Sequence, residues 1–158
     1  MMAKTRRAEE GEIDRIVAVD TQAFVNSPYG QATGLDRDMV RQRQRQQSVR
    51  AYCCAHPDWV FVAIEAGEIV GFATLEYWPE ERAGQIENNA VLPDYRGRGI
   101  SSALVQRVLE ELKTLGSETA SVATRYAPDA CRVYEKMGFV LERREGALNH
   151  YRMDMRSL

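Results

Sequence analysis

Hydrophobic positions along this 158-residue chain follow two rhythms, and the places where one gives way to the other mark the elements. Residues 5–8 read as a short strand. In residues 9–24, Ile13, Ile16, Val17, Val19 and Phe24 recur at near-helical spacing, which predicts a helix. Residues 26–35 contain Pro28, Gly30 and Gly34 and read as a loop. Asp36 then stands where it can cap a second helix running to about Cys54. Residues 59–65 and 69–78 are apolar runs of strand length, joined at Ala66-Gly67 as a hairpin. A further strand covers residues 85–92 and breaks at Pro93. Ile100, Leu104, Val105, Val108, Leu109, Leu112 and Leu115 come next, one apolar stripe along a long helix. Residues 119–124 form a strand. Asp129 can cap a short helix that ends at Gly138, and residues 139–143 and 149–155 close the chain as a hairpin. The order β-α-α-β-β-β-α-β-α-β-β predicts one α/β domain over residues 1–158, built on a mixed sheet.

The junction before the long helix carries chemistry. Val91 to Gly99 spell V-L-P-D-Y-R-G-R-G, so a strand ends, a glycine turn follows, and a helix N-terminus opens at Ile100. The first turn of a helix has unpaired N–H groups and a partial positive charge. Gly97 and Gly99 allow close backbone approach, and Arg96 and Arg98 add full charge. Such a site suits a phosphate-bearing ligand. A nucleoside-triphosphate loop is excluded because no Lys follows Gly99. A dinucleotide loop fails because Ser102 occupies its third glycine position. There remains a pyrophosphate held by R-x-x-G-x-G/A, with Arg96, Gly99 and Ser101 in those places.

That stretch resembles the Gcn5-related N-acetyltransferase family, whose members carry V-x-P-x-x-R/Q-x-x-G-x-G/A at the start of the central helix. A second match is Tyr134-Glu135-Lys136-Met137-Gly138-Phe139, similar to the family's Y-E-K-x-G-F about forty residues beyond the loop. The resemblance implies a mixed, mostly antiparallel sheet flanked by helices. It also implies acetyl-coenzyme A as co-substrate. On it, Arg96, Gly97, Arg98, Gly99, Ile100, Ser101 and Ser102 would hold the pyrophosphate, while Ala90 and Val91 would pair with the pantetheine arm. Two departures stand out. Ser101 replaces the usual Gly or Ala, and Ala127 stands where an Asn often precedes the tyrosine by seven residues.

Acetylation of an amine poses a protonation problem. A lysine-like amine has a pKa of about 10.4, so roughly one in a thousand is neutral at pH 7.4. A base that removes the proton recovers up to about 4 kcal/mol. Gln85, Glu87 and Asn89 share a strand face unless a bulge intervenes, and Glu87 is the first candidate base, with Glu76 second. The resemblance assigns Tyr134 as the acid for the departing thiolate. A backbone N–H near Val91 could polarise the thioester carbonyl if the strand splays from its neighbour there. The resemblance implies that the loop between the first two helices and the last hairpin shape the acceptor pocket, and these segments carry Phe24, Asn26, Tyr29, Asn149, His150 and Tyr151. Trp78, Glu80 and Glu81 lie in the connection after the third main strand, where acids would suit a cationic amine.

Composition narrows the field. The formal net charge is −2, unlike that of a general nucleic-acid binder. Arg37, Arg41, Arg43, Arg45 and Arg50 are the local exception, read as a solvated helix face rather than a nucleic-acid patch. No apolar run approaches a membrane span. The three cysteines, two of them adjacent, are poor material for a disulfide framework and point to a reducing cytoplasm. Cys53, Cys54 and His56 cluster but lack a second ligand set for a metal. The expectation is therefore an N-acetyltransferase acting on a small-molecule or peptide amine, with a homodimer compatible by analogy. The alternative is a non-catalytic module that binds an acyl-coenzyme A.

Overall fold

Both rhythms resolve onto one sheet in the computed structural model, which describes residues 3–125 and 128–158. Its strands are β1 (Lys4–Arg7), β2 (Val60–Glu65), β3 (Glu68–Trp78), β4 (Ala83–Val91), β5 (Thr119–Arg125), β6 (Val140–Glu145) and β7 (Leu148–Asp154). They lie in the order β1-β2-β3-β4-β5-β7-β6, antiparallel at every junction except β4–β5. The helices are α1 (Ile13–Val25), α2 (Pro28–Thr33), α3 (Met39–Ala55), α4 (Ile100–Leu115) and α5 (Pro128–Lys136). Among the described residues no helix is long and apolar enough to cross a membrane. The β2–β3 turn is Ala66-Gly67, both at positive φ (51° and 78°), as a tight hairpin requires.

Helix α4 buries Ile100, Leu104, Val105, Val108, Leu109 and Leu112 against the sheet. Leu115 lies 37% exposed, so the apolar stripe ends one turn before the helix does. The other face is covered by α1, which buries Ile16, Val17, Val19 and Ala23 and packs on β3, β4 and α3. Helix α3 is different. It buries only Val49 and Cys53, and hydrogen bonds dock it instead. Arg45 grips the fully buried Asp20 of α1 through two bonds of 2.9 and 3.0 Å, with its guanidinium 3.6 Å above the Phe24 ring. Gln46 reaches Thr21 at 3.2 Å, and the Tyr52 hydroxyl donates to the Leu75 carbonyl at 2.5 Å.

Three expectations change. The 26–35 loop contains α2: Ser27 caps it by accepting from the Gly30 amide at 2.9 Å, Pro28 opens it, and Gly34 at φ 76° ends it. Helix α3 is capped by Asp38, whose carboxylate accepts from the Arg41 amide at 3.1 Å, and not by Asp36. The turn at Gly34 delays the helix by two residues, since the Arg37 and Asp38 amides both bond the Gly34 carbonyl. Asp129 does not cap α5. The helix already begins at Pro128, so Asp129 lies in its first turn and pairs with Arg132 at 3.4 Å.

Two substitutions test this packing. A Cβ at Gly30 would fall on the Phe24 carbonyl, a backbone atom that cannot swing aside. Gly30→Ala should therefore cost about 2 kcal/mol in chemical denaturation, whereas Gly11→Ala, which meets nothing within 4 Å, should be near neutral. Arg45→Leu should cost about 3 kcal/mol by leaving Asp20 buried and unpaired. Burial pushes the Asp20 carboxyl above its ordinary value, and Arg45 opposes that shift. The folded state thus holds this proton more tightly than the unfolded one. Stability from this site is present at low pH and lost as pH rises through the raised value, more steeply in Arg45→Leu; unfolding midpoints across the acid range would show it.

Candidate active site

The parallel junction is short. Strand β4 pairs with β5 only at Ala83–Thr119, Gly84–Ala120 and Gln85–Ser121. Beyond Gln85, among the described residues, β4 keeps β3 as its strand partner and the β5 side lies open as a fork. The Leu92 amide bonds the Val70 carbonyl on β3 at 2.9 Å. In an antiparallel ladder alternate residues turn both backbone groups to the same neighbour. Ala90, opposite Phe72, therefore faces β3 with its backbone, while Asn89 and Val91 turn theirs to the fork. Of the two residues expected to pair with a pantetheine arm, Val91 turns its backbone to the fork and Ala90 does not. The Asn89 backbone also faces the fork.

At the head of the fork, α4 begins at Ile100 behind Gly99, and no side chain caps it. Gly97 and Gly99 adopt φ of 76° and 79°, and a Cβ on either would meet nothing within 4 Å. Glycine is required there for conformation, and the space before it is free. The result is a run of exposed backbone, residues 97–99, leading into an uncapped helix start. Ile100 is core, 2% exposed, so only its backbone can meet a ligand. The arginine side chains lie elsewhere. Arg96 donates to the Ala23 carbonyl at the end of α1 at 3.0 Å. Arg98 pairs with Glu65 at 3.2 Å and sits 4.9 Å from the Tyr95 ring centroid. The concentrated positive element at the loop is thus the amide cluster and helix dipole.

Tyr134 of α5 lies across the fork, 4% exposed, packed against Phe139 and Tyr151. Asn89 donates to its hydroxyl at 3.3 Å and to the Ser101 hydroxyl at 3.0 Å. Burial raises the Tyr134 phenol above its ordinary value, and the Asn89 N–H pulls the other way.

Glu87 is elsewhere. Thr74 pairs with Asn88 and Leu75 with Ile86, so Glu87 is the extra residue of a β-bulge. The bulge separates the predicted trio. Gln85 and Glu87 stay together at 2.7 Å, while Asn89 turns to Ser101 and Tyr134. Glu87 is exposed, in the electrostatic neighbourhood of Tyr52 together with Glu76. Burial, chiefly, and then these two carboxylates push the Tyr52 phenol up. Sequence reading missed Tyr52, because its partner is a strand carbonyl that no side-chain pattern announces. It also missed the bond from Asn89 to Tyr134, which spans 45 residues.

Among the expected acceptor residues, Tyr151 is buried with its hydroxyl on Glu135 at 3.0 Å, and Asn149 bonds the Cys131 sulfur at 3.6 Å. Phe24 and Tyr29 meet edge to face at 6.4 Å. His56 stacks on Trp59 at 4.9 Å and meets the tilted Tyr52 ring at 4.7 Å. Cys53 is buried, its thiol pushed up to about 11. Ala127 lies outside the described residues.

The chain is an α/β protein with an open glycine turn before an uncapped helix, set at the fork of a mixed sheet, an arrangement whose amides and helix dipole suit an anionic group. A model of the acetyltransferase (GNAT) family matches residues 25–139, and the chain belongs to that family. It is 33% identical over 137 residues to the mycothiol acetyltransferase of Streptomyces griseus, covering 85% of this chain but only 42% of that protein. It is 34% identical over 76 residues to the [ribosomal protein bS18]-alanine N-acetyltransferase of Haemophilus influenzae, 48% of this chain and 51% of that one. The PaiA N-acetyltransferase of Thermoplasma acidophilum, solved in complex with coenzyme A, shares the fold at a TM-score of 0.73 and 12% identity, over 98% and 99% of the two chains.

If this loop takes the pyrophosphate of coenzyme A, Gly99→Glu should weaken coenzyme A binding strongly by setting a carboxylate in that space. Gly99→Ala carries the same backbone strain at φ 79° without charge, so the comparison isolates electrostatics. Titration calorimetry should find the Glu variant at least about 30-fold weaker than the Ala variant.

Proposed function

We propose that this chain is an acetyl-coenzyme A-dependent N-acetyltransferase, one catalytic unit over residues 1–158, that acetylates a primary amine by direct attack in a ternary complex. The observation that carries it is the fork itself: an uncapped α4 N-terminus at its head and Tyr134 across its side. The residues fit the co-substrate. Residues 96–102 offer amides to a pyrophosphate, and the Asn89 and Val91 backbones offer an extended arm a strand partner. The coenzyme A complex of the Thermoplasma acidophilum protein and the names of the relatives support the same reading. The free cysteines, Cys53, Cys54 and Cys131, fit a reducing cytoplasm.

When bound, acetyl-coenzyme A supplies an acetyl group already activated as a thioester, so no nucleophilic side chain is needed. The Val91 amide, directed to the fork, is placed to donate to the carbonyl oxygen where negative charge develops. The Tyr134 hydroxyl holds a proton for the leaving sulfur. Glu87 and Glu76 give the opposite side of β4 a negative character that attracts a cationic amine and can accept its proton.

The acceptor class we favour is an α-amine. Glu87 is exposed and already accepts from Gln85, which is modest equipment for deprotonating a lysine. An α-amine has a pKa of about 7.7–8.0, so roughly a quarter is neutral at pH 7.4 without help. The alanine N-acetyltransferase among the relatives is named for an amine of that kind.

Release of coenzyme A thiol should appear with amino acids or peptides bearing free N-termini, and more weakly with polyamines and aminoglycosides. Tyr134→Phe should lose about 100-fold or more in kcat while keeping its affinity for acetyl-coenzyme A. Unchanged turnover in that variant would remove Tyr134 from the mechanism. Binding without turnover for every amine would favour the acyl-coenzyme A-binding module.

A further inference from the structure

Tyr134 can act as an acid only if its proton points at the sulfur, and something must aim it. A phenol rotor in a site this dry takes its direction from the nearest polar group. Tyr134 is 4% exposed, and its hydroxyl lies 3.3 Å from Asn89 Nδ2. The same nitrogen lies 3.0 Å from Ser101 Oγ, in the first turn of α4. An amide nitrogen carries two N–H groups and no lone pair to offer, so both hydroxyl oxygens accept from it. The Tyr134 oxygen is then engaged as an acceptor, and its own proton is free to leave along another direction.

Asn89 reaches this position because of the bulge at Glu87. Without the extra residue, Asn89 would share a face with Gln85 and Glu87. A second observation ties the amide to a ligand. Asn89 Oδ1 is buried and has no hydrogen-bond partner among the described residues. A buried acceptor without a donor is rare in a folded protein. The pantetheine arm carries amide N–H groups that would satisfy it.

We propose that Asn89 is a positioning residue: its amide turns the Tyr134 proton toward the thioester sulfur and fixes that orientation to the first turn of α4 through Ser101. Cofactor loop and acid are thereby set by one side chain. The inference rests on the reading of Tyr134 as the acid, and its test needs no known amine.

The probe is coenzyme A itself, bound to the full chain, its thiol titrated by ultraviolet thiolate absorbance. Free thiols ionise near about 8.5. A proton aimed at sulfur stabilises the thiolate, so the bound thiol should titrate about one unit lower in the unmodified protein. Tyr134→Phe should remove that shift. Asn89→Leu, of similar shape but without polar groups, should remove it equally, and the double variant should go no further. Asn89→Asp keeps the size but can only accept; it would draw the Tyr134 proton to itself and raise the thiol's value further. A larger rise in Asn89→Asp than in Asn89→Leu, both with native thermal unfolding, excludes simple misfolding as the cause. If Tyr134→Phe leaves the thiol unchanged, the acid reading fails. If Tyr134→Phe raises it and Asn89→Leu does not, Asn89 does not aim the proton and the inference is overturned. A lowered value in Asn89→Leu would overturn it too, because it would mean that Oδ1 had been holding the proton away from sulfur.

Discussion

Beyond Gln85, β4 keeps one strand neighbour and loses the other, and most of the chemistry follows from that loss. A paired strand has no backbone to offer a ligand. By holding β5 for only three residue pairs, the fold frees the Asn89 and Val91 backbones over the very stretch that leads into the glycine turn. The sheet stays whole because the β3–β4 ladder continues to Val91 and because α4 buries its stripe beneath it. The bulge at Glu87 then decides which side chains see which side of the strand. It puts Gln85 and Glu87 together and gives Asn89 to the fork.

Part of the charge on α3 is engaged within the chain, and one pair, Arg45–Asp20, reaches the interior. The arginine-rich α3 looks like a surface for an anionic partner, yet Arg45 serves Asp20, Arg41 bonds the Thr33 carbonyl, and Arg50 pairs with Asp14. Polar contacts do for α3 what an apolar stripe does for α4. The glycine turn before α4 behaves alike. Arg96 and Arg98 bond the Ala23 carbonyl of α1 and Glu65, so the exposed positive character of the turn comes from backbone amides, whose direction is fixed.

Elements with a strong rhythm were readable from the residues: α4 from its apolar stripe, the β2–β3 hairpin from Ala66-Gly67, the glycine turn from its spacing. Helix α2 was not, although Ser27-Pro28 is a cap-and-first-turn pair, because two glycines within five residues read as loop. The start of α3 was displaced for a similar reason. Asp36 and Asp38 are equal as caps, and only the bonds to the Gly34 carbonyl choose between them. At the site, loop positions were legible because helix starts and glycine conformations are local properties. The fate of Gln85, Glu87 and Asn89 was not, since a bulge depends on how two strands count against each other. Tyr52 and the Asn89–Tyr134 bond were invisible for the same reason, being made between segments far apart in the chain.

The three-pair seam between β4 and β5 has a mechanical meaning. Strands β1 to β4 and strands β5 to β7 are two leaves of unequal size, and their shared backbone bonding is brief. An extended ligand lying along β4 in the fork, with its head on α4 and its side against α5, would touch both leaves at once. It would act as a splint, continuing the sheet where the chain leaves off. Part of its binding free energy would then appear as resistance of the two leaves to parting, so that the protein holding its co-substrate is a stiffer object than the protein alone.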